Sequence, residues 1–82
     1  MDAAPGRVRS LSEAEHERQE EIVRLAMIDG SIAAHRIAQH WSVVRRLRIA
    51  RSGVYRRLLE LNARVEKNGG EAYPRGRFAR PA

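Results

Sequence analysis

The sequence predicts an all-α domain of three or four helices. Apolar residues recur at the three- and four-residue spacings of one helical face, and cap residues bracket those stretches. No segment shows the strict apolar and polar alternation of a half-buried strand. A chain of 82 residues has room for one small core. We therefore expect a helical domain at 12–68, a disordered arm at 1–11 and a basic flexible tail at 69–82.

The first helix is predicted to begin at Ser12. Ser12 and Glu15 form the S-x-x-E pattern of a capping box, and the acids that follow favour the positive end of the helix dipole. The apolar face lies in the second half of this helix, and the Asp-Gly dipeptide at 29–30 is predicted to end it. The residues of that apolar face are Ile22, Leu25, Ala26 and Met27.

A second helix is predicted to start at Ser31 as its cap. An apolar stripe follows at positions i, i+3, i+4 and i+7, and its last member, Trp41, is the expected core anchor. Helical structure is predicted to stop after Lys67, where Asn68 and Gly69 provide a C-terminal cap. The stripe consists of Ala34, Ile37, Ala38 and Trp41.

The segment between 43 and 65 combines hydrophobic spacing with cap chemistry and predicts a helix-turn-helix. A short helix breaks at Arg48, Ile49 fills the gap between the helices, and Ser52 caps a longer helix. The short helix carries Val43, Val44 and Leu47, and the longer one is anchored by Val54, Leu58, Leu61 and Val65.

This segment is similar to the pattern I-A-x-x-L-G-V-S-x-S-T-V-Y-R-x-L of the recognition units in resolvase-invertase DNA-binding domains and many bacterial regulators. It departs from the pattern at Val44, where the family prefers alanine, and at Arg48, where it prefers glycine. The resemblance implies a bacterial or phage transcriptional regulator. The matching positions are Val43, Leu47, Ile49, Ser52, Val54, Tyr55, Arg56 and Leu58.

Two other interpretations of the same region stay open. In one, the first helix and turn occupy 37–43, seven residues further from Ser52. In the other, a single long helix carries a coiled-coil seam with steps of 4, 3, 4, 4, 3 and 4 residues, through which the chain could dimerise. That seam would consist of Val43, Leu47, Ala50, Val54, Leu58, Leu61 and Val65.

The charge distribution favours a polyanionic partner. The net charge is +6, and Lys67 is the single lysine among 16 basic residues. Residues 11–29 carry six acids and two bases, whereas residues 30–82 carry three acids and twelve bases. Such asymmetry is typical of proteins with one face for nucleic acid. The chain has no cysteine and no long apolar run, so we expect a cytoplasmic, nucleoid-associated protein.

The resemblance implies double-stranded DNA as the partner. The start of the second helix of the unit would read base edges, and flanking arginines would contact phosphates. A homodimer is expected because one recognition helix reads few bases. The implied base-reading residues are Arg51, Ser52, Tyr55 and Arg56, and the implied phosphate contacts are Arg45, Arg46, Arg57 and Arg64.

The tail contains the sequence Pro-Arg-Gly-Arg-Phe at 74–78, which resembles the P-R-G-R-P core of an AT-hook. This resemblance implies that Arg75 and Arg77 enter an A·T minor groove, although Phe78 replaces the second proline. A solvated basic tail is the alternative interpretation, and it would still add affinity for a polyanion.

Signals of catalysis are missing from the sequence, so we expect no enzyme, cofactor or metal. The three histidines, at 16, 35 and 40, lack the i, i+4 spacing of a helical metal pair. Two alternatives to a DNA-binding regulator remain. One is a protein-binding adaptor or inhibitor that uses the acidic helix at 12–29 and the apolar seam, for example a phage-encoded protein that acts on a host polymerase or regulator. The other is an RNA-binding protein.

Overall fold

The computed structural model describes residues 11–74, and over that range it is an antiparallel pair of long helices. Helix α1 spans Leu11–Ile37, helix α2 spans Trp41–Lys67, and residues 38–40 join them. The all-α class is therefore confirmed. The prediction of three or four helices is wrong for the described residues, which form two. The predicted arm lies almost wholly outside them.

Helix α1 does not end at Asp29 and Gly30, contrary to the sequence prediction, and Ser31 does not cap a new helix. Gly30 costs about 1 kcal/mol relative to alanine in a helix interior. The turn around it is held by tertiary contacts, because Asp29 accepts a hydrogen bond from α2 and Ile32 is buried. Burial of one such side chain contributes about 1.5–3 kcal/mol, which outweighs the glycine cost.

Helix α2 runs without a break through Arg51, Ser52 and Gly53, so the predicted helix-turn-helix is wrong and the single long helix is confirmed. Ser52 does not act as a cap, because its hydroxyl donates to the carbonyl oxygen of Arg48 one turn earlier, at 3.1 Å. Of the predicted seam, Leu58, Leu61 and Val65 are buried, and Leu47 and Val54 are partly buried. Val44 and Arg51 are buried in place of the neighbouring Val43 and Ala50, and Asn62 is buried as well.

The core is a narrow layer between the two helices. Leu25 of α1 and Leu58 of α2 are fully buried at its centre, and partly buried apolar side chains pack around them. Trp41 is not the core anchor, because it opens α2 at the tip of the hairpin, beyond the last buried layer, and 55% of it is exposed. The surrounding side chains are Ile22, Val54, Tyr55, Leu59 and Tyr73.

Both helices end in the same hydrogen-bonded motif. At the end of α1, the amide of His40 donates to the carbonyl of His35 and that of Gln39 to Arg36. At the end of α2, Gly70 donates to Val65 and Gly69 to Glu66. This is the Schellman arrangement, which needs a left-handed residue at the penultimate position. Gly69 has a φ of 92° and confirms the predicted end of α2, whereas Gln39 adopts a φ of 61°.

The first residues after α2 fold back onto the helix pair. The Asn62 side chain accepts from the Tyr73 amide at 2.6 Å and donates to the Tyr73 carbonyl at 3.0 Å. Arg18 of α1 donates to the same Asn62 oxygen at 2.7 Å. Residues 71–74 of the predicted tail are therefore attached to both helices.

Candidate nucleic-acid interface

Helix α2 carries most of the positive charge of the described chain. It contains eight basic and two acidic residues, whereas α1 contains three basic and six acidic residues. The helices are antiparallel neighbours, so the surface divides into an acidic side and a basic side. The position of each arginine on α2 decides whether it faces α1 or solvent.

Arg51 lies inside the hairpin. Its Nε donates to Asp29 Oδ1 at 2.6 Å, and its guanidinium carbon lies 5.9 Å from the centre of the Tyr55 ring. Tyr55 in turn packs against the core around Leu25 and Leu58. Two of the four predicted base-reading residues are therefore structural contacts between α1 and α2, and the turn that would have presented them does not exist.

Arg57 is held against α1 by two carboxylates. Its Nε lies 3.5 Å from Glu21 Oε2, and its Nη2 lies 3.9 Å from Glu17 Oε1. Glu21 is buried, and the same oxygen also accepts from Arg24 at 3.0 Å. Two cationic and two anionic groups thus neutralise one another on this side, so Arg57 is a poor candidate for a phosphate contact.

Arg45, Arg46, Arg56 and Arg64 are exposed. Among residues 11–74 none of these four guanidinium groups has an ion pair or hydrogen bond. Arg45, Arg46 and Arg64 are the predicted phosphate contacts that the structure leaves accessible. Arg56, from the predicted base-reading set, is accessible as well. Ser52 is also exposed, but its hydroxyl donates within its own helix. Arg75 and Arg77 lie outside the described residues.

Arg48 belongs with the exposed set and was missed by the sequence analysis, which placed it in the turn. In an unbroken helix Arg45, Arg48, Ser52 and Arg56 follow one another at steps of three, four and four residues, which puts them on one face. Arg48 is exposed and has no ionic partner within the described range. We call this face the arginine row. The i, i+3 spacing to Arg45 was the signal that could have found it.

The arginine row is separate from the side of α2 that carries Arg57. Arg46 precedes Arg57 by eleven residues, close to three helical turns, so both lie on the flank that holds the contacts to Glu17 and Glu21. Helix α2 therefore has two basic flanks. One is partly neutralised by α1, and the other, the arginine row, faces solvent alone.

The remaining polar groups do not form a metal site within the part of the chain that the structure describes. The Nδ1 atoms of His35 and His40 lie 3.1 Å apart across the loop and share a hydrogen bond. Neither α1 nor α2 is long and apolar enough to cross a membrane.

The chain matches no protein-family model, no curated protein and no solved structure.

Proposed function

We propose that this protein binds double-stranded DNA through the arginine row of α2. One observation carries the proposal: Arg45, Arg48 and Arg56 lie on one exposed helical face, and none of them is neutralised by an acid among residues 11–74. Exposed cations that no acid neutralises attract the phosphates of DNA, and binding of those phosphates releases counterions. The regulatory role expected from the sequence rests on this same contact.

The dimensions of the row suit a duplex. Eleven residues separate Arg45 from Arg56, and at about 1.5 Å per residue they span roughly 16 Å. A major groove is about 12 Å wide, so the row can reach phosphates on both of its sides. The acids of α1 lie on the other helix and not on the arginine row.

The loss of the helix-turn-helix changes the expected mode of binding. An unbroken helix presents its side chains along a whole face, so phosphate contacts dominate, and they position the protein without reading sequence. With three such contacts, the logarithm of the association constant should fall with the logarithm of salt concentration with a slope near −2.7, at about 0.9 per phosphate.

The test is titration of a labelled duplex at fixed salt with the full chain. Arg45→Ala, Arg48→Ala and Arg56→Ala should each weaken binding several-fold and reduce the salt slope by about one. Arg46→Ala is the matched control, because it removes an equally exposed and unpaired charge from the other flank of α2 and should leave affinity within about twofold. Equal losses from all four variants would mean that net charge alone attracts the duplex, and the proposal would fail.

Selection from a random duplex pool measures how much sequence the protein reads. Regulatory binding by a dimer predicts a consensus with two half-sites about 10 base pairs apart. Tighter binding of RNA hairpins than of duplex DNA at equal salt would replace the proposal with RNA recognition.

A second candidate function is that of a small protein-binding adaptor, and one observation favours it. At the tip of the hairpin, Ile37 is 86% exposed and Trp41 is 55% exposed, beside Ala33 and Arg36. Exposed aromatic and apolar residues of this kind are frequent anchors in protein interfaces. The test is a pull-down with the full chain and with the Trp41→Ser variant. If the wild type binds one dominant protein that the variant loses while its DNA binding stays intact, the adaptor function is supported. If the variant binds that protein as well as the wild type does, the tip of the hairpin is not the binding site.

A further inference from the structure

Ile49 is a large apolar side chain on the outer surface of α2. It is 71% exposed, and it precedes Leu58 by nine residues, which is about two and a half helical turns. Residues at that separation point to opposite sides of a helix. Leu58 is fully buried against α1, so Ile49 points away from α1 and into solvent.

The neighbours of Ile49 on this surface belong to the arginine row. Arg45 lies four residues before it, Ser52 three residues after it and Arg56 seven residues after it, and these are the spacings of one helical face. Along the helix axis, Ile49 is about 6 Å from Arg45 and about 10 Å from Arg56. An exposed apolar side chain therefore lies between the two arginines at the ends of the row.

The residues one turn after Ile49 are small. Ser52 is exposed, and Gly53 has no side chain; a Cβ atom built on Gly53 would meet nothing within 4 Å. Ile49 therefore extends further from the helix axis than these neighbours do. A flat or concave partner can contact the Ile49 side chain without a clash with the turn that follows.

We propose that Ile49 contacts the C5-methyl groups of thymine in the major groove, so that the protein prefers A·T pairs beneath the centre of the arginine row. This contact rests on the proposed function, in which Arg45 and Arg56 reach phosphates on the two sides of the groove. A residue between them then lies over the edges of the base pairs. The thymine methyl is the apolar group that those edges present in the major groove.

The chemistry of the base edges makes this contact selective. Against thymine, Ile49 buries apolar surface on both partners, and each methyl group so buried strengthens binding by about fourfold. Against a G·C pair, the same side chain covers hydrogen-bonding groups of the bases and offers them no partner. The arginines contact phosphates, which are the same at every base pair. Ile49 therefore adds a sequence preference to binding that phosphate contacts dominate.

The test is a thermodynamic cycle that removes each of the two contacting groups in turn from the full chain and from the duplex. A short A·T duplex is compared with the same duplex that carries uracil at every thymine and so lacks the C5-methyl groups. The wild type should bind the thymine duplex more tightly, by about fourfold for each methyl group that Ile49 contacts. Ile49→Ala should bind the two duplexes with equal affinity, whereas Ile49→Val should keep a preference for thymine.

Two further variants are matched controls. Met27→Ala removes an apolar side chain of α1 that is 70% exposed, against 71% for Ile49, and should leave both affinities unchanged. Arg56→Ala removes a phosphate contact and should weaken binding of both duplexes by the same factor. Circular dichroism of each variant verifies that the helices remain.

Equal affinity of the wild type for the two duplexes would refute the thymine contact. A thymine preference that Ile49→Ala retains would refute it as well, because loss of the methyl groups would then act through the shape of the duplex. In both cases the proposed function stands as long as Arg56→Ala weakens binding. Absence of duplex binding, in contrast, would refute the proposed function and the thymine contact together.

Discussion

Replacement of Gly53 by alanine should stabilise the protein. The opposite result would be expected if the Arg-Ser-Gly segment formed the turn that the sequence predicts. Gly53 lies in the interior of α2, and a Cβ atom built on it meets nothing within 4 Å. The substitution therefore realises the whole difference in helix propensity, about 0.8–1.0 kcal/mol. For a domain of this size that raises the melting temperature by about 4–8 °C.

Thermal and urea unfolding, followed by far-ultraviolet circular dichroism at one protein concentration, measure this effect. Gly69→Ala is the matched control, because the φ of 92° at that position strains any residue with a Cβ atom, and the substitution should cost about 1 kcal/mol. If Gly53→Ala destabilises the protein as Gly69→Ala does, the chain turns at 51–53 and the unbroken α2 is refuted.

Three further experiments test other contacts. A double-mutant cycle of Asp29→Ala and Arg51→Ala should give a coupling of about 1–2 kcal/mol, between the values of exposed and buried ion pairs, and a coupling near zero in urea unfolding would contradict the contact. Gln39→Gly should raise the free energy of unfolding by about 0.5–1 kcal/mol by relief of its left-handed backbone; lower stability would show that the strain is absent. Asn62→Ala should speed amide exchange at Tyr73, and unchanged protection there would argue that other contacts hold residues 71–74.

The helical class could be predicted from the sequence, but the helix boundaries depended on tertiary contacts. Gly69 ends α2 as predicted, in the left-handed conformation that glycine adopts without strain. Gly30 and Gly53 carry the same local signal, and both lie inside helices. Each costs about 1 kcal/mol, which is less than the contacts that the continued helix makes with its neighbour. Helix α1 ends at Ile37 instead, and the left-handed residue of its cap is Gln39, whose type gives no such signal.

The candidate interface could be predicted as a region but not residue by residue. Arg51 and Arg48 are three residues apart and similar in sequence context, yet one is buried against Asp29 and the other is exposed. Which of them faces solvent is set by the phase of the helix across 51–53. The predicted turn would have put Arg51 at the exposed start of the second helix. The sequence around Arg51 does not show which side of α2 faces α1, because the acid that pairs with Arg51, Asp29, lies 22 residues away on the other helix.

The polar contacts between α1 and α2 also restrict how the two helices can slide past one another. A shift by one heptad would keep apolar residues opposite apolar residues over much of the seam. It would, however, move Arg51 from Asp29 to Ile22 or Arg36, and it would leave the carboxylate beside Leu58 or Val44. The Asp29 carboxylate is 28% exposed, so separation of this pair costs less than the roughly 3–5 kcal/mol of a fully buried one, but it still disfavours a slipped hairpin. The apolar core alone would allow several alignments of α1 and α2, and these polar contacts favour one of them.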